Sequence, residues 1–206
     1  MPNNWYASGI DAALNGEIDW DTNTIKLLLC TSSYTPNRAT HDYRDDLTNE
    51  VAATGGYSTG GVTLASCTCA YVAANSWGVS RANATAYTVG EVVRPATGNG
   101  FLYQCIVAGT SAGSIPTYPT TIGGTVTDGG VTWECVGAGA VMLDAADAQW
   151  AASTITARYG VIYKDTGTPA TSPLIALIDP GANVISSGGN FDVPWSPAGI
   201  VSVIIP

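Results

Sequence analysis

Charged residues are scarce in this chain. Asp, Glu, Lys and Arg make up 11% of its 206 residues, about half the share found in ordinary soluble domains. Lys and Arg number 7 against 16 Asp and Glu, which gives a formal net charge of −9. A protein that binds nucleic acid needs a basic face toward the phosphates. The sequence therefore predicts no nucleic-acid partner.

Long apolar runs are also missing. No run in the sequence reaches the roughly 18 apolar residues that a membrane-spanning helix needs. The N-terminal MPNNWYASGIDAAL has neither the basic start nor the apolar stretch of a secretory signal peptide. These features predict a protein that is made in a cytoplasm and has no membrane partner.

Residues suited to catalysis are few. His41 is the sole histidine and lies in a polar, turn-rich stretch, and neither G-x-S-x-G nor H-E-x-x-H is present. The acidic cluster Asp42, Asp45, Asp46 and Glu50 lacks the alternating carboxylate spacing of a calcium loop, which favours a solvated acidic surface. No carboxylate pair suggests glycoside hydrolysis. We expect no enzymatic activity, no metal and no cofactor.

The five cysteines form an odd set, which does not fit a complete disulfide framework. Cys67 and Cys69 lie two residues apart on a predicted strand and would face one side, where they are expected to be core residues rather than metal ligands. Cys105 and Cys135 lie in the middle of two predicted strands that could be neighbours. Whether the two form a disulfide is left undecided, because the cysteines of a protein made in the cytoplasm begin reduced.

Gly, Pro, Thr and Ser are abundant between short apolar segments, a pattern typical of strands joined by turns. The sequence predicts an all-β fold, a β-sandwich with a jelly-roll-like order. A short N-terminal helix, capped by Asn3 or Asn4, is expected to pack Trp5 and Leu14 inward. Strands are predicted at residues 24–31, in two pieces around 62–72, and at 141–144, 155–165, 173–181 and 191–206.

One block differs in composition from the chain on either side of it. Residues 78–137 contain AYTVGEVVRPATGNGFLYQC, a Gly/Ser/Thr/Pro stretch and TVTDGGVTWEC. We predict an inserted small β module at 78–137, carried by a discontinuous β-sandwich domain formed from residues 1–77 and 138–206.

The flanking sequence contains three distinctive runs: IDWDTNTIKLLL, YTPN followed by HDYRDDLTNEV, and TARYGVIYKD. Through these runs it resembles a family of small β-rich virion proteins of double-stranded DNA phages. It implies a virion structural protein, with capsid decoration (cement) as the first assignment and a tail or tail-fibre component as the alternative. A cement protein would bind the outer surface of the capsid through the major capsid protein and copies of itself, as a homotrimer.

The insert is similar to the opening of small chitin-binding-type modules, in a Tyr, a Gly-acid-Val step and an aromatic strand. That resemblance implies aromatic rings that stack on a host surface glycan. A module of this size also needs aromatic residues for its own core, and Tyr118, between two prolines, is the best candidate for an exposed ring. The candidate stacking residues are Tyr118, Tyr87, Phe101, Tyr103 and Trp133.

The apolar C-terminal run GIVSVIIP allows two interpretations. It is either an ordinary internal strand or a strand that pairs with the sheet edge of a neighbouring copy.

Overall fold

The computed structural model describes residues 5–206, so the predicted capping residues Asn3 and Asn4 lie outside the described part. The chain divides into two compact units. The first, here called the host unit, comprises residues 5–68 and 144–195. The second, the module unit, comprises residues 69–143 and 196–206.

The prediction of an all-β fold with one short N-terminal helix is confirmed. Within residues 5–206 the helix is α1 (Ala7–Leu14), and single 3-10 turns lie at Arg44–Asp46, Ala74–Ser76 and Pro169–Thr171. The strands are β1 (Ile25–Cys30), β2 (Val62–Thr63), β3 (Thr68–Ala73), β4 (Ala86–Tyr87), β5 (Val92–Val93), β6 (Leu102–Val107), β7 (Gly109–Thr110), β8 (Thr125–Asp128), β9 (Val131–Gly137), β10 (Gly139–Asp144), β11 (Ala148–Ser153), β12 (Thr156–Ala157), β13 (Tyr159–Lys164), β14 (Leu174–Ile178), β15 (Val184–Ile185), β16 (Gly189–Val193) and β17 (Val201–Ile205).

An antiparallel four-stranded sheet with the order β14-β13-β1-β2 forms the centre of the host unit. β1 pairs with β13 along its whole length, from Ile25 opposite Lys164 to Cys30 opposite Tyr159. All but one residue of β1 are buried, so a nearly continuous apolar strand is what this position requires. Two-stranded ribbons, β11-β16 and β12-β15, complete the unit.

Helix α1 packs closely on β14. A Cβ added at Gly9 would lie 2.7 Å from the Cα of Ile175, so only glycine permits this approach. The helix buries Gly9 and Ala12, whereas Leu14 is 83% exposed. The prediction that Leu14 packs inward is therefore wrong: the helix face that touches the sheet consists of small residues. Trp5 is half-buried and forms a bridge with Ala176 of β14.

The chain leaves and re-enters the host unit at neighbouring points. The Ala146 N–H donates to the Ala65 carbonyl at 2.8 Å, and the Trp20 indole N–H donates to the Asp144 carbonyl at 2.8 Å. These two bonds hold the chain on both sides of residues 69–143 within the host unit. A segment that leaves from adjacent points is what an insertion into a host fold requires.

The module unit contains two larger sheets and one two-stranded ribbon. The four-stranded sheet has the order β5-β6-β9-β8, the three-stranded sheet has the order β17-β10-β3, and β4 pairs with β7. The C-terminal run forms β17, which pairs antiparallel with β10 of the same chain. The internal-strand interpretation of this run is thus the one observed.

The module unit is larger than the predicted insert at 78–137. It also takes in residues 69–77, 138–143 and 196–206. The reason is a shared core in which Trp77 and Ala140, outside the predicted bounds, are buried with Leu102, inside them. Whether 78–137 is separable by itself stays a prediction.

Candidate functional site

Most of the aromatic side chains predicted to bind glycan are buried in the core of the module unit. In β9, Val131, Trp133 and Cys135 alternate with less buried residues, so one face of the strand supplies the core. Trp133 and Tyr103 are 0% exposed, and Tyr87 is 8% exposed. The rings of Tyr87 and Trp133 meet edge to face, with centroids 4.8 Å apart, a favourable geometry for an aromatic pair.

The polar atoms of these three rings are bonded within the unit. The Tyr103 hydroxyl donates to the Pro119 carbonyl at 2.7 Å and accepts from the Asn99 side chain. The Tyr87 hydroxyl accepts from the Ala82 N–H. A buried ring has no face free for a sugar, so the structure does not support stacking by Tyr87, Tyr103 or Trp133 and instead supports the core interpretation.

Phe101 and Tyr118 are half-buried and pack against the same core. The ring of Tyr118 lies with its centroid 4.4 Å from that of Tyr103. Its hydroxyl is buried and has no hydrogen-bond partner among residues 5–206, and burial raises the pKa of Tyr118. The expectation that Tyr118 is an exposed loop ring is therefore wrong, because Tyr103 offers it an aromatic surface.

A buried ion pair, which sequence reasoning missed, lies beside this core. Arg81 and Asp128 have fully buried side chains, joined by two bonds of 2.7 and 2.9 Å. Asp128 also accepts from the Trp133 indole at 2.9 Å and from the Ala112 N–H at 3.0 Å. Arg81 donates further to the Ala112 and Ser114 carbonyls. Every charge is thus met by several partners, as a buried pair requires.

The sequence offered no signal for this pair. Asp128 precedes Gly129-Gly130 in the turn between β8 and β9, where an Asp is ordinary turn chemistry. Arg81 is distant in sequence, and no local pattern links the two residues. The pair fixes the segment around Arg81 to the β8-β9 hairpin.

The disulfide between Cys105 and Cys135, which the sequence leaves open, is not formed. Cys105 and Cys135 are buried free thiols, and burial raises the pKa of each. Their strands β6 and β9 are neighbours, but the register places Cys105 opposite Trp133 and Cys135 opposite Tyr103.

Cys67 and Cys69 differ from the expected pair of core residues. Cys67 precedes β3, is half-buried and donates to the Leu64 carbonyl. Cys69 lies in β3 and is exposed. The prediction that both are core residues is wrong. β3 is an edge strand of its sheet, and most of its residues, Cys69 among them, are exposed.

His41 and the neighbouring acidic residues serve local structure in the host unit. The Nδ1 of His41 lies 2.9 Å from the Tyr34 hydroxyl, which in turn bonds that of Tyr6 at 3.0 Å. Asp46 accepts from the N–H groups of Asp42 and Tyr43, and these bonds hold its pKa below the usual range. Among residues 5–206, no three His, Cys, Asp or Glu side chains are grouped to hold a metal ion.

Large apolar side chains are exposed in both units. Where such residues form a contiguous patch, the patch commonly marks an interaction surface. In the host unit they are Ile10, Leu14, Tyr43, Val184 and Ile185, and in the module unit Tyr71, Val89, Ile106, Val107, Ile115, Ile122, Val203 and Ile205.

Comparison with known proteins found no matching family model, no matching curated protein and no matching solved structure. In the part of the chain that the structure describes, no helix is long and apolar enough to cross a membrane.

Proposed function

We propose that this chain is a non-enzymatic structural protein of a phage virion, and that it acts as a capsid decoration protein. It binds the outer surface of the capsid through the major capsid protein and copies of itself, as a homotrimer. The observation that carries the proposal is the exposure of large apolar side chains in both units of an acidic all-β chain. Apolar surface that is exposed in the free chain is available for contact with another protein.

The position of the resembling sequences supports the proposal. IDWDTNTIKLLL contains most of β1, and TARYGVIYKD contains β13. These two strands are paired neighbours at the centre of the host sheet. The first and third of the resembling runs therefore lie in the strands that organise the host unit, whereas YTPN and HDYRDDLTNEV lie in the segment after β1 that contains the 3-10 turn Arg44–Asp46.

The alternative, a tail or tail-fibre component that binds host glycans, has less support. Of the five rings predicted to stack on sugar, three are buried and two are half-buried against the module core. A stacking site would have to use the remaining exposed parts of Phe101 and Tyr118.

The test is the copy number of the protein in purified particles, measured by quantitative mass spectrometry beside the major capsid protein. A decoration protein should be present in numbers comparable with the capsid protein, because one interface is reused at every equivalent position. Heads without it should rupture at a lower temperature, since its binding stabilises only the assembled shell. A handful of copies per particle would favour the tail, and absence would overturn the virion assignment.

A further inference from the structure

The sequence contains two Asn-Gly pairs, Asn15-Gly16 and Asn99-Gly100. An asparagine that precedes glycine is prone to lose its side-chain amide, because glycine has no Cβ to hinder attack by its backbone nitrogen on the asparagine side chain. Asn15 and Asn99 are both exposed, so access to water does not distinguish the two pairs. The hydrogen bonds around each pair do distinguish them.

Asn15 lies at the end of helix α1 and is held only through its backbone. Its side-chain amide has no hydrogen-bond partner among residues 5–206. The Gly16 N–H donates to the Ala13 carbonyl at 3.2 Å, which is long for such a bond and lies where helices fray. A Cβ built at Gly16 would meet nothing within 4 Å, so this pair has room to turn.

Asn99 is held on both sides of its amide group. Its side-chain N–H donates to the Tyr103 hydroxyl at 2.7 Å, and its side-chain oxygen accepts from the Phe101 N–H at 3.2 Å. The N–H of Gly100, whose nitrogen would attack, donates to the Asn75 side-chain oxygen at 2.9 Å. Reaction at this pair requires that all three bonds break, whereas reaction at the other pair breaks one.

From this difference we infer that Asn15 is a modification site, at which the folded chain converts asparagine into aspartate and isoaspartate. The Gly16 nitrogen attacks the Cγ of Asn15, the Cγ–Nδ2 bond breaks, and the proton of Gly16 leaves with the ammonia. Water then opens the cyclic imide and returns a proton to the Gly16 nitrogen. Attack of water at Cγ gives aspartate, and attack at the backbone carbonyl carbon gives isoaspartate.

Such an intramolecular reaction is fast only where the two reacting atoms can reach each other, and among the two pairs that condition is met at the end of α1. The inference does not depend on the proposed function, because it concerns the chemistry of the host unit itself.

The modified chain differs from the parent in charge and at the end of α1. The reaction adds one negative charge to a formal net charge of −9, at the end of a helix where the dipole favours cations. The N–H groups of Glu17 and Ile18 both donate to the Ala12 carbonyl. An isoaspartate lengthens the backbone just before these bonds, so the last turn of α1 should loosen in the modified protein.

The experiment incubates the full-length protein in mildly alkaline buffer, in which a backbone nitrogen loses its proton more readily. Mass spectrometry follows the peptides that contain Asn15 and Asn99, and chromatography separates their aspartate and isoaspartate products. In the folded protein Asn15 should react about tenfold faster than Asn99 or more, since two further hydrogen bonds must break at Asn99. In denaturing urea the two rates should be similar, because the bonds that protect Asn99 are lost.

Two variants sharpen the comparison. Asn15→Gln should abolish the reaction at the end of α1 and leave the rate at Asn99 unchanged, because the longer side chain does not form the same imide. Asn75→Ala frees the Gly100 N–H and should raise the rate at Asn99 without changing the rate at Asn15.

Three results would overturn the inference. The first is an equal or faster reaction at Asn99 in the folded parent, and the second is a folded parent in which Asn15 does not react. The third is an unchanged rate at Asn99 in an Asn75→Ala variant that has the circular dichroism spectrum of the parent. The comparison of the parent with and without urea needs no variant, so it stands even if Asn75→Ala does not fold.

Discussion

Asp128 shows how one carboxylate can tie a segment to a β-hairpin. Burial alone would raise the pKa of Asp128, but the bonds from Arg81, Trp133 and the Ala112 N–H outweigh it, so the pKa is lowered. A carboxyl whose folded pKa lies below its unfolded value stabilises the fold at pH values above the unfolded pKa. That contribution is lost as the pH falls through the folded pKa.

Asp128→Asn should therefore destabilise the module unit and change its response to acid. Removing one partner of a buried ion pair leaves Arg81 uncompensated, which costs about 3–5 kcal/mol. The parent should lose stability as the pH falls below about 4, the unfolded pKa of Asp, and the variant should lack this component. Urea unfolding between pH 7 and pH 3 measures both effects. Glu134→Gln, at a half-buried position of β9, is the control and should change stability by less than about 0.5 kcal/mol.

Two touching tyrosines should respond differently to loss of the hydroxyl. The Tyr118 hydroxyl is buried without a partner among the described residues, so Tyr118→Phe should leave stability unchanged or raise it by about 1 kcal/mol. Tyr103→Phe removes bonds to Pro119 and Asn99 and should cost about 1–3 kcal/mol. The midpoints of guanidinium unfolding give the comparison. A marked loss in Tyr118→Phe would contradict the absence of a partner.

At the scale of elements, the strands of the host unit were the most predictable part of the molecule. β1 lies within the predicted 24–31 because a nearly continuous apolar run between turn residues is typical of a buried strand. The predicted strand at 155–165 divides into β12 and β13, a break that the apolar pattern does not mark.

The errors arose where a small residue or a distant partner determines the structure. Leu14 was expected inside, but the close approach of α1 at Gly9 gives the contact to small residues. Tyr118 was expected outside because prolines flank it, and the ring of Tyr103 that covers it cannot be located from local sequence. The Arg81–Asp128 pair depends on the fold of the whole unit, so no spacing rule indicates it.

The unit boundaries lead to a prediction about removal of the module. Joining Thr68 to Asp144 through a short linker and ending at Trp195 should give a host unit that unfolds cooperatively, because Ala65 and Ala146 already hold the two ends together. Deleting only residues 78–137 should give a less stable protein, since this deletion removes Leu102 and exposes Trp77 and Ala140. Thermal unfolding followed by circular dichroism compares the two variants. A cooperative transition in the second but not the first would show that the predicted bounds, 78–137, are the better ones.

At the scale of the whole molecule, acidity and apolar exposure act against each other. A formal net charge of −9 keeps copies apart over long distances, whereas the exposed apolar side chains favour contact. The balance between these terms depends on ionic strength, because salt screens the repulsion and hardly weakens apolar burial. An assembly held by apolar contact between acidic copies should therefore have a characteristic response to salt.

Self-association of the full chain should strengthen as salt is added. The screening length falls from about 30 Å at 0.01 M salt to about 3 Å at 1 M, so repulsion between copies is removed while the attraction between exposed apolar side chains remains. Sedimentation equilibrium across this range gives the association constant. A variant with Asp11→Asn and Glu17→Gln, both exposed in the host unit, lowers the net negative charge by two and should associate more tightly at low salt, with a smaller dependence on salt. An association constant that falls steeply with salt would instead indicate ion pairs across the interface, and the contact would then have to lie on a charged surface of the molecule.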